Sequence, residues 1–564
     1  MPAAVLGLAA VNAFGATYDF YVDQANGASA NAGTEAAPKK YLGEALTLGR
    51  AQAGANTINV HVRAGQTYNT STNDRMHFDN GEDDGDTYVM TGWRKTGDAA
   101  TDVATIGTAG AWGNPRFASG CGAVSFTFGE GIARVNSAGN PCIYVNTTDI
   151  AVTLDGCTLT NTGGYAAFEC GDTTQSCSLT IRNGATVSSD GNLCAPSSLK
   201  SFSATDSTLT TTGAGKYILN TGSAAYGISD LVQFNRCTIN SAAGVMGLGW
   251  DSAGAITSYL ALVDVRDCTI NIAGPGFPIV RYVRRCTIEN NTITSNQTGA
   301  AAVMVMGFDS GTAANTFTTG GVIVRNNIVR NIGSDAGHGI EIGKGCNGAV
   351  CTGNTVLDCD YGIVIKGNYV MVAHNVVAHR VDRTLKGACL HLSGGQGNVL
   401  RNNSLYSTVT NASAIEVKKN LESVQAAYNT LEDNLVHVTH SGAVCIVVET
   451  NAGFDENRIN RNVYWVSGSA TNIAKTGTSS YTYYTTFEAL QAFWANYTKW
   501  AGNEAYSVKA DPRFRSPATG DLRLGPGSPA LGTRATFWIN QGAWQRGEMT
   551  GKQPFWRLAQ PAER

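Results

Sequence analysis

The chain has 564 residues, 15% charged, 43% hydrophobic and 9% aromatic, with 66 glycines and a formal net charge of −3. So few charges beside so much glycine exclude a coiled coil or helix-rich protein, and the hydrophobic content excludes a disordered one. No basic footprint marks a nucleic-acid partner, and no run approaches the ~20 apolar residues of a membrane span, so no membrane insertion is expected.

Residues 1–17 are apolar but lack a basic start, so they read as a packing segment against sister chains or a larger assembly, not as a cleaved leader. Residues 18–150 form an opening region and the first repeats. Within it the loop Asp79-Asn-Gly-Glu-Asp83-Asp84-Gly-Asp86 has the density of hard oxygen donors that Ca²⁺ takes, although the acidic residue that ends a helix–loop–helix calcium site is missing. Asp79, Asp83, Asp84 and Asp86 are the candidate ligands. The other reading is a solvated turn. No cofactor motif is present elsewhere.

Residues 151–475 are repetitive. A turn residue followed by a β-branched strand recurs as Gly156-Cys157-Thr-Leu, Arg236-Cys237-Thr-Ile, Asp267-Cys268-Thr-Ile, Arg285-Cys286-Thr-Ile and Asn290-Asn291-Thr-Ile. It continues at Asn327, Asn354, Asn375, Asn403, Asn434 and Asn462, in steps of 27, 21, 28, 31 and 28 residues. A unit this short, holding two or three strands and no helical period, cannot bury its apolar side chains alone and must stack. Stacked coils put equivalent strands about 4.8 Å apart in parallel sheets, with like residues in inward columns. Asn suits the corners because it tolerates left-handed backbone and bonds neighbouring turns. Cys157, Cys237, Cys268 and Cys286 are expected to share one small inward slot. Fourteen cysteines show no zinc spacing, and three close pairs, Cys121 with Cys142, Cys170 with Cys177 and Cys346 with Cys351, are near enough to bridge; the alternative is buried thiols.

The central coils align on Gly339-Ile340-Glu341-Ile342-Gly343, Gly362-Ile363-Val364-Ile365-Lys366, Cys389-Leu390-His391-Leu392-Ser393 and Ala414-Ile415-Glu416-Val417-Lys418. Period two sends Ile340, Ile363, Leu390 and Ile415 inward, leaving Glu341, Val364, His391 and Glu416 in one outward column and Gly343, Lys366, Ser393 and Lys418 in the next. Glu341, Lys366, His391, Glu416 and Lys418 are therefore the candidate catalytic residues, able to supply a base and an acid for cleaving a polysaccharide by hydrolysis or elimination. A solvated face of cross-strand charge pairs is the other reading. Gly337-His338-Gly339 reads as a turn. Two echoes, Trp250-Asp251-Ser252 and Phe308-Asp309-Ser310, each set an aromatic ring beside a carboxylate, so Trp250, Asp251, Phe308 and Asp309 are candidate sugar contacts; capping of the core is the alternative.

Residues 476–533 hold an amphipathic helix at Thr486–Trp494 and a closing segment, and 534–564 form an aromatic, basic tail with Trp538, Trp544 and Trp556.

On these residues the chain resembles a right-handed parallel β-helix of the pectate-lyase-like superfamily. The stretch from Tyr21-Val22-Asp23 to Ala64-Gly65-Gln66-Thr67-Tyr68 resembles the opening of such proteins, where a short helix caps the first coil. Asp511-Pro512-Arg513-Phe514, Gly520-Asp521-Leu522-Arg523-Leu524 and Pro526-Gly527-Ser528-Pro529-Ala530-Leu531 resemble their closing segment. The resemblance implies an all-β solenoid with an N-terminal capping helix and a C-terminal capping segment. Lys366 with Arg380 is the nearest counterpart of the Lys and Arg some lyases of the superfamily use. The apolar start, the aromatic tail and the lack of an enzymatic signature make the chain most similar to phage tailspikes or tail fibres. That implies a homotrimeric virion component bound to other virion proteins, attached to and depolymerising a host cell-surface polysaccharide. A secreted lyase or glycoside hydrolase and a purely architectural head or neck decoration are the alternatives.

Overall fold

In the computed structural model, residues 15–530 are described apart from internal stretches, the longer ones being 249–259 and 307–320. Two compact units result, Met1–Thr238 with Ala255–Ser258 and Ile239–Gly254 with Tyr259–Arg564. In each, the chain runs through a strand of a first sheet, turns a corner into a second, and crosses to a third before returning one rung on. The pairs within these three sheets are parallel, apart from Tyr481–Tyr484, which closes the third sheet antiparallel to Asn472–Gly477. This is the parallel β-helix expected from the repeats.

The first unit begins with Thr17–Val22 paired to Thr57–Arg63, and the helix Leu42–Arg50 between them buries Leu42, Ala45 and Leu46. Strict alternation along Thr57–Arg63 and Val124–Phe128 sends every second side chain into the core. Large rings fill it: Phe78 and Phe117 stack at 4.8 Å, with Phe126 and Phe128 edge-on.

In the second unit aliphatic columns replace the rings. Ile340, Ile363, Leu390, Ile415 and Ile446 stand in register and are fully buried, as the period predicts. The helix Phe487–Ala495, capped by Thr486 Oγ1 accepting from the Ala489 N–H, lies where the amphipathic pattern put it. Val508–Lys509 adds a last rung beside Val463–Tyr464. The closing segment then lays Phe514, Leu522 and Ala530 against Val376, Ala378, Tyr406, Leu435 and Val463, so it covers the outer side of the second sheet over several coils.

Two corner expectations are corrected. Cys286 is not at a corner: it sits in the strand Val283–Glu289, opposite Val263 and Val322, and the corner of that coil is Asn290-Asn291. The left-handed residue is also not the recurrent Asn but the one before it, whatever its type: Asn290, Asn326, His374, Asn402, Asp433 and Arg461 all have φ of 55–59°. The following Asn is buried and bonds along the axis. From Asn291 through Asn327, Asn354, Asn375, Asn403 and Asn434 to Asn462, the backbone N–H and one side-chain N–H of each donate to the next Asn Oδ1 at 2.9–3.1 Å. The other side-chain N–H reaches a carbonyl of the preceding coil, as Asn403 does to Val372. Each amide thus ties three coils together. All fourteen cysteines are buried thiols, so none of the three close pairs is bridged.

Candidate functional site

The third sheet of the second unit presents His338–Ile342, Tyr361–Ile365, Ala388–Ser393, Ser413–Lys418, Val444–Val448 and Asn472–Gly477 side by side. Its register aligns Glu341, Val364, His391, Glu416, Val447 and Lys475 in one column, extending the outward column read from the sequence. Ser393 and Lys418 pair in the neighbouring column.

The five candidate catalytic residues are therefore brought together, but not as a solvated face. They form two similar clusters. In the first, Glu341 Oε2 is 2.8 Å from His338 Nδ1 and its Oε1 is 2.5 Å from Lys366 Nζ. In the second, Glu416 Oε2 is 2.8 Å from His391 Nδ1 and 3.1 Å from Lys418 Nζ. Both carboxylates are buried, at 2% and 4% exposure, and their partners are only partly exposed, the histidines at 14–18% and the lysines at 23–30%. Burial opposes their ionisation, but hydrogen bonds from the histidines and the lysine charges outweigh it and hold each carboxyl at about 2.

Between the clusters stands Tyr361, edge-on to His338 at 5.2 Å and to His391 at 5.0 Å. Burial, reinforced by the Glu416 charge, raises its phenol pKa, so the hydroxyl stays protonated. Lys475, two rungs beyond Glu416, lies 4.9 Å over the Tyr481 ring, and burial lowers its pKa.

His338, Tyr361 and Lys475 were not identified from sequence. His338 is not a turn residue but the first of its strand, correcting the Gly-His-Gly reading. The reason is local. Gly339 and Gly362 face inward as well as Ile340 and Ile363: a Cβ on either glycine would come within 2.3 Å of Val356 or Val377. Two consecutive residues point into the core, the alternation slips by one, and His338 and Tyr361 turn outward. A glycine before the first large apolar residue of a strand was the available signal.

Arg380 does not join Lys366. It pairs with Asp358 in a two-point contact at 2.9 and 2.5 Å beyond the second-sheet strand Val376–His379. Trp250, Asp251, Phe308 and Asp309 lie outside the described residues, as do Asp79 and Asp83. Asp84 Oδ1 accepts from the Ala123 N–H and Asp86 Oδ1 from the Asn56 N–H, and among the described residues no three acidic, histidine or cysteine side chains gather as a metal site.

The fold and this face define the class, a parallel β-helix carrying a polar cluster on one sheet. No known family's sequence profile and no curated protein matches the chain. Solved structures similar to it include the GH136 lacto-N-biosidase from Eubacterium ramulus, 13% identical over 82% of this chain and 67% of that one, TM-score 0.20. XylC in complex with xylose is 8% identical over 82% and 86%, TM-score 0.26. The A-module of the Azotobacter vinelandii mannuronan C-5 epimerase AlgE6 is 10% identical over 83% and 94%, TM-score 0.24. Identities and scores this low bear on neither the site nor its chemistry, which rest on the geometry above.

Proposed function

We propose that the outward face of the third sheet, from His338 to Lys475, binds an acidic polysaccharide and cleaves it by elimination beside a uronate carboxylate. The observation that carries this reading is the burial of both glutamates. Glu341 and Glu416 stand three rungs apart in register, about 14 Å. The paired carboxylates of a glycoside hydrolase stand about 5–9.5 Å apart, with one of them protonated at neutral pH. Two ionised groups locked under their own partners fit neither requirement. What remains turned outward is an anion-binding, proton-moving set of lysine, imidazole and phenol.

In this reading each glutamate holds the Nδ1–H of its histidine and leaves the Nε2 lone pair facing the substrate. The Nε2 of His391 takes the proton beside the sugar carboxylate, whose charge Lys366 and Lys418 offset. The electron pair forms the carbon–carbon double bond as the glycosidic C–O bond breaks, and the departing oxygen takes a proton from the Tyr361 hydroxyl. His391 carries the base role because Glu416 and Lys418 of its cluster also act on the Tyr361 phenol.

Rates on soluble polyuronates test the assignment. Tyr361→Phe and His391→Ala are expected to lower kcat about a hundredfold or more, while Lys366→Ala mainly raises KM. Undiminished kcat in both of the first two variants would overturn it. Such an activity suits either a free secreted enzyme or a virion spike, and we propose the former, because one chain supplies every residue of the reading above; the apolar start and the Trp538-to-Trp556 tail lie outside the described residues. A trimer in solution would instead favour the spike.

A further inference from the structure

At the corners between the third and first sheets, Gly348, Tyr369, Gly397 and Tyr428 occupy equivalent positions on four successive rungs. Each precedes by two residues a member of the register Val350, Met371, Val399, Thr430. All four have left-handed backbone, with φ of 70, 57, 68 and 58°. Glycine adopts this conformation freely, whereas a bulky side chain there is an outlier. Burial does not compensate the strain, for Tyr369 is 68% and Tyr428 58% exposed. Left-handed backbone alone does not set these two apart, since His374 and Arg461 share it at other corners; what does is a large aromatic ring left exposed over the corner, which points to a contact outside the fold.

The alternation of glycine and tyrosine has a structural consequence. A Cβ on Gly397 would come within 2.6 Å of the Tyr369 ring, so the missing side chain gives that ring its seat over the corner. The two rings then recur every second rung, about 10 Å, close to the length of a disaccharide in an extended β-1,4-linked chain, which shows the same sugar face once per two residues. This edge also borders the face described above, because Lys366, whose Nζ lies on Glu341, begins the short turn that ends at Tyr369.

We propose that Tyr369 and Tyr428 are paired stacking subsites that hold a β-1,4-linked polyuronate along the axis of the coils, every second sugar meeting a ring. The inference rests on the reading of the third-sheet face as a polyuronate site and extends it to the chain's direction and register. Each tyrosine offers an apolar face to the C–H side of a sugar, and the lysines of the neighbouring face select for its carboxylates.

The test is calorimetric binding of β-1,4-linked oligomannuronates, from disaccharide to octasaccharide, in the His391→Ala background so that the probe is not consumed. Affinity is expected to step upward once the oligomer exceeds a disaccharide and can span both rings. Tyr369→Ala and Tyr428→Ala should each weaken binding of the longer oligomers about five- to tenfold and remove the step, while Tyr→Phe at either position keeps it. Tyr369→Gly separates binding from folding, since it should lose affinity like the alanine variant with its unfolding midpoint unchanged or raised. Alanine variants that bind as the parent does, or a glycine variant with a lowered midpoint, would overturn the proposal. Failure of the elimination reading shows differently: length-dependent, tyrosine-dependent binding would persist in a protein that makes no unsaturated product.

Discussion

The corners between the first and second sheets are built in two ways. In the first unit four of them hold Cys157, Ala185, Ser207 and Cys237; in the second, seven carry the asparagines from Asn291 to Asn462. The small corner residues bond locally: Ser207 Oγ donates to the Thr205 carbonyl at 2.7 Å and Cys237 Sγ to the Asn235 carbonyl at 3.4 Å, each two residues back in its own coil. The asparagines bond along the axis. A local bond shapes one corner, whereas an axial ladder fixes each coil against the next. The candidate site draws residues from several rungs and lies among the ladder coils, where a slip of one coil would separate His391 from Glu416 or Lys366 from Glu341.

The largest effect should come from breaking the ladder. Asn403→Ala removes the acceptor of two Asn375 N–H groups and the donor to the Val372 carbonyl, all buried. It is expected to cost about 3–5 kcal/mol, against about 1 kcal/mol for Cys157→Ala, compared by denaturant unfolding. Equal costs would remove the distinction between the two kinds of corner.

Next come the paired carboxylates. The ordinary glutamate value is 4.5, and Glu341 and Glu416 are held at about 2, so their contribution to stability is present above 4.5 and lost as pH falls through about 2. Unfolding midpoints of the wild type should drop across that window, and those of a Glu341→Gln, Glu416→Gln double variant should drop less. Glu504, in the last turns of the second unit, behaves oppositely. Burial, partly offset by hydrogen bonds from Ser507 and Tyr464, raises it to about 7, so the stability it lends is present below 4.5 and lost as pH rises through about 7. Glu504→Gln, which can still accept from the Tyr464 hydroxyl, should match the wild type at pH 4.5 and exceed it above pH 7. The smallest effect is at Tyr369, where glycine relieves left-handed backbone and should stabilise by about 1 kcal/mol or less.

The fold was legible because stacking imposes a repeat that survives in the corner phrase, and the inward column Ile340, Ile363, Leu390 and Ile415 followed from period two alone. The same arithmetic placed Glu341, His391 and Glu416 in one column. It missed His338 and Tyr361 because their strands open with two inward residues, a slip that Gly339 and Gly362 permit and that strict alternation does not describe. It left a solvated face open as the other reading because burial of Glu341 and Glu416 depends on what lies over them, which no strand pattern records. Cys286 was misplaced because Arg285-Cys286-Thr-Ile copies the corner phrase inside a strand. The asparagine ladder was only half legible: the Asn repeat was visible, but which of two adjacent polar residues turns left-handed and which turns inward depends on the coil above.

Elimination at the His338-to-Lys475 face is tested most directly by the products formed from soluble β-1,4-linked polyuronates, analysed by mass and ultraviolet absorbance for the wild type and His391→Ala. It predicts new ends carrying a carbon–carbon double bond, each lighter by one water than a hydrolysis product, and their near absence in the folded variant. Saturated ends, or undiminished double-bond formation by His391→Ala, would contradict it.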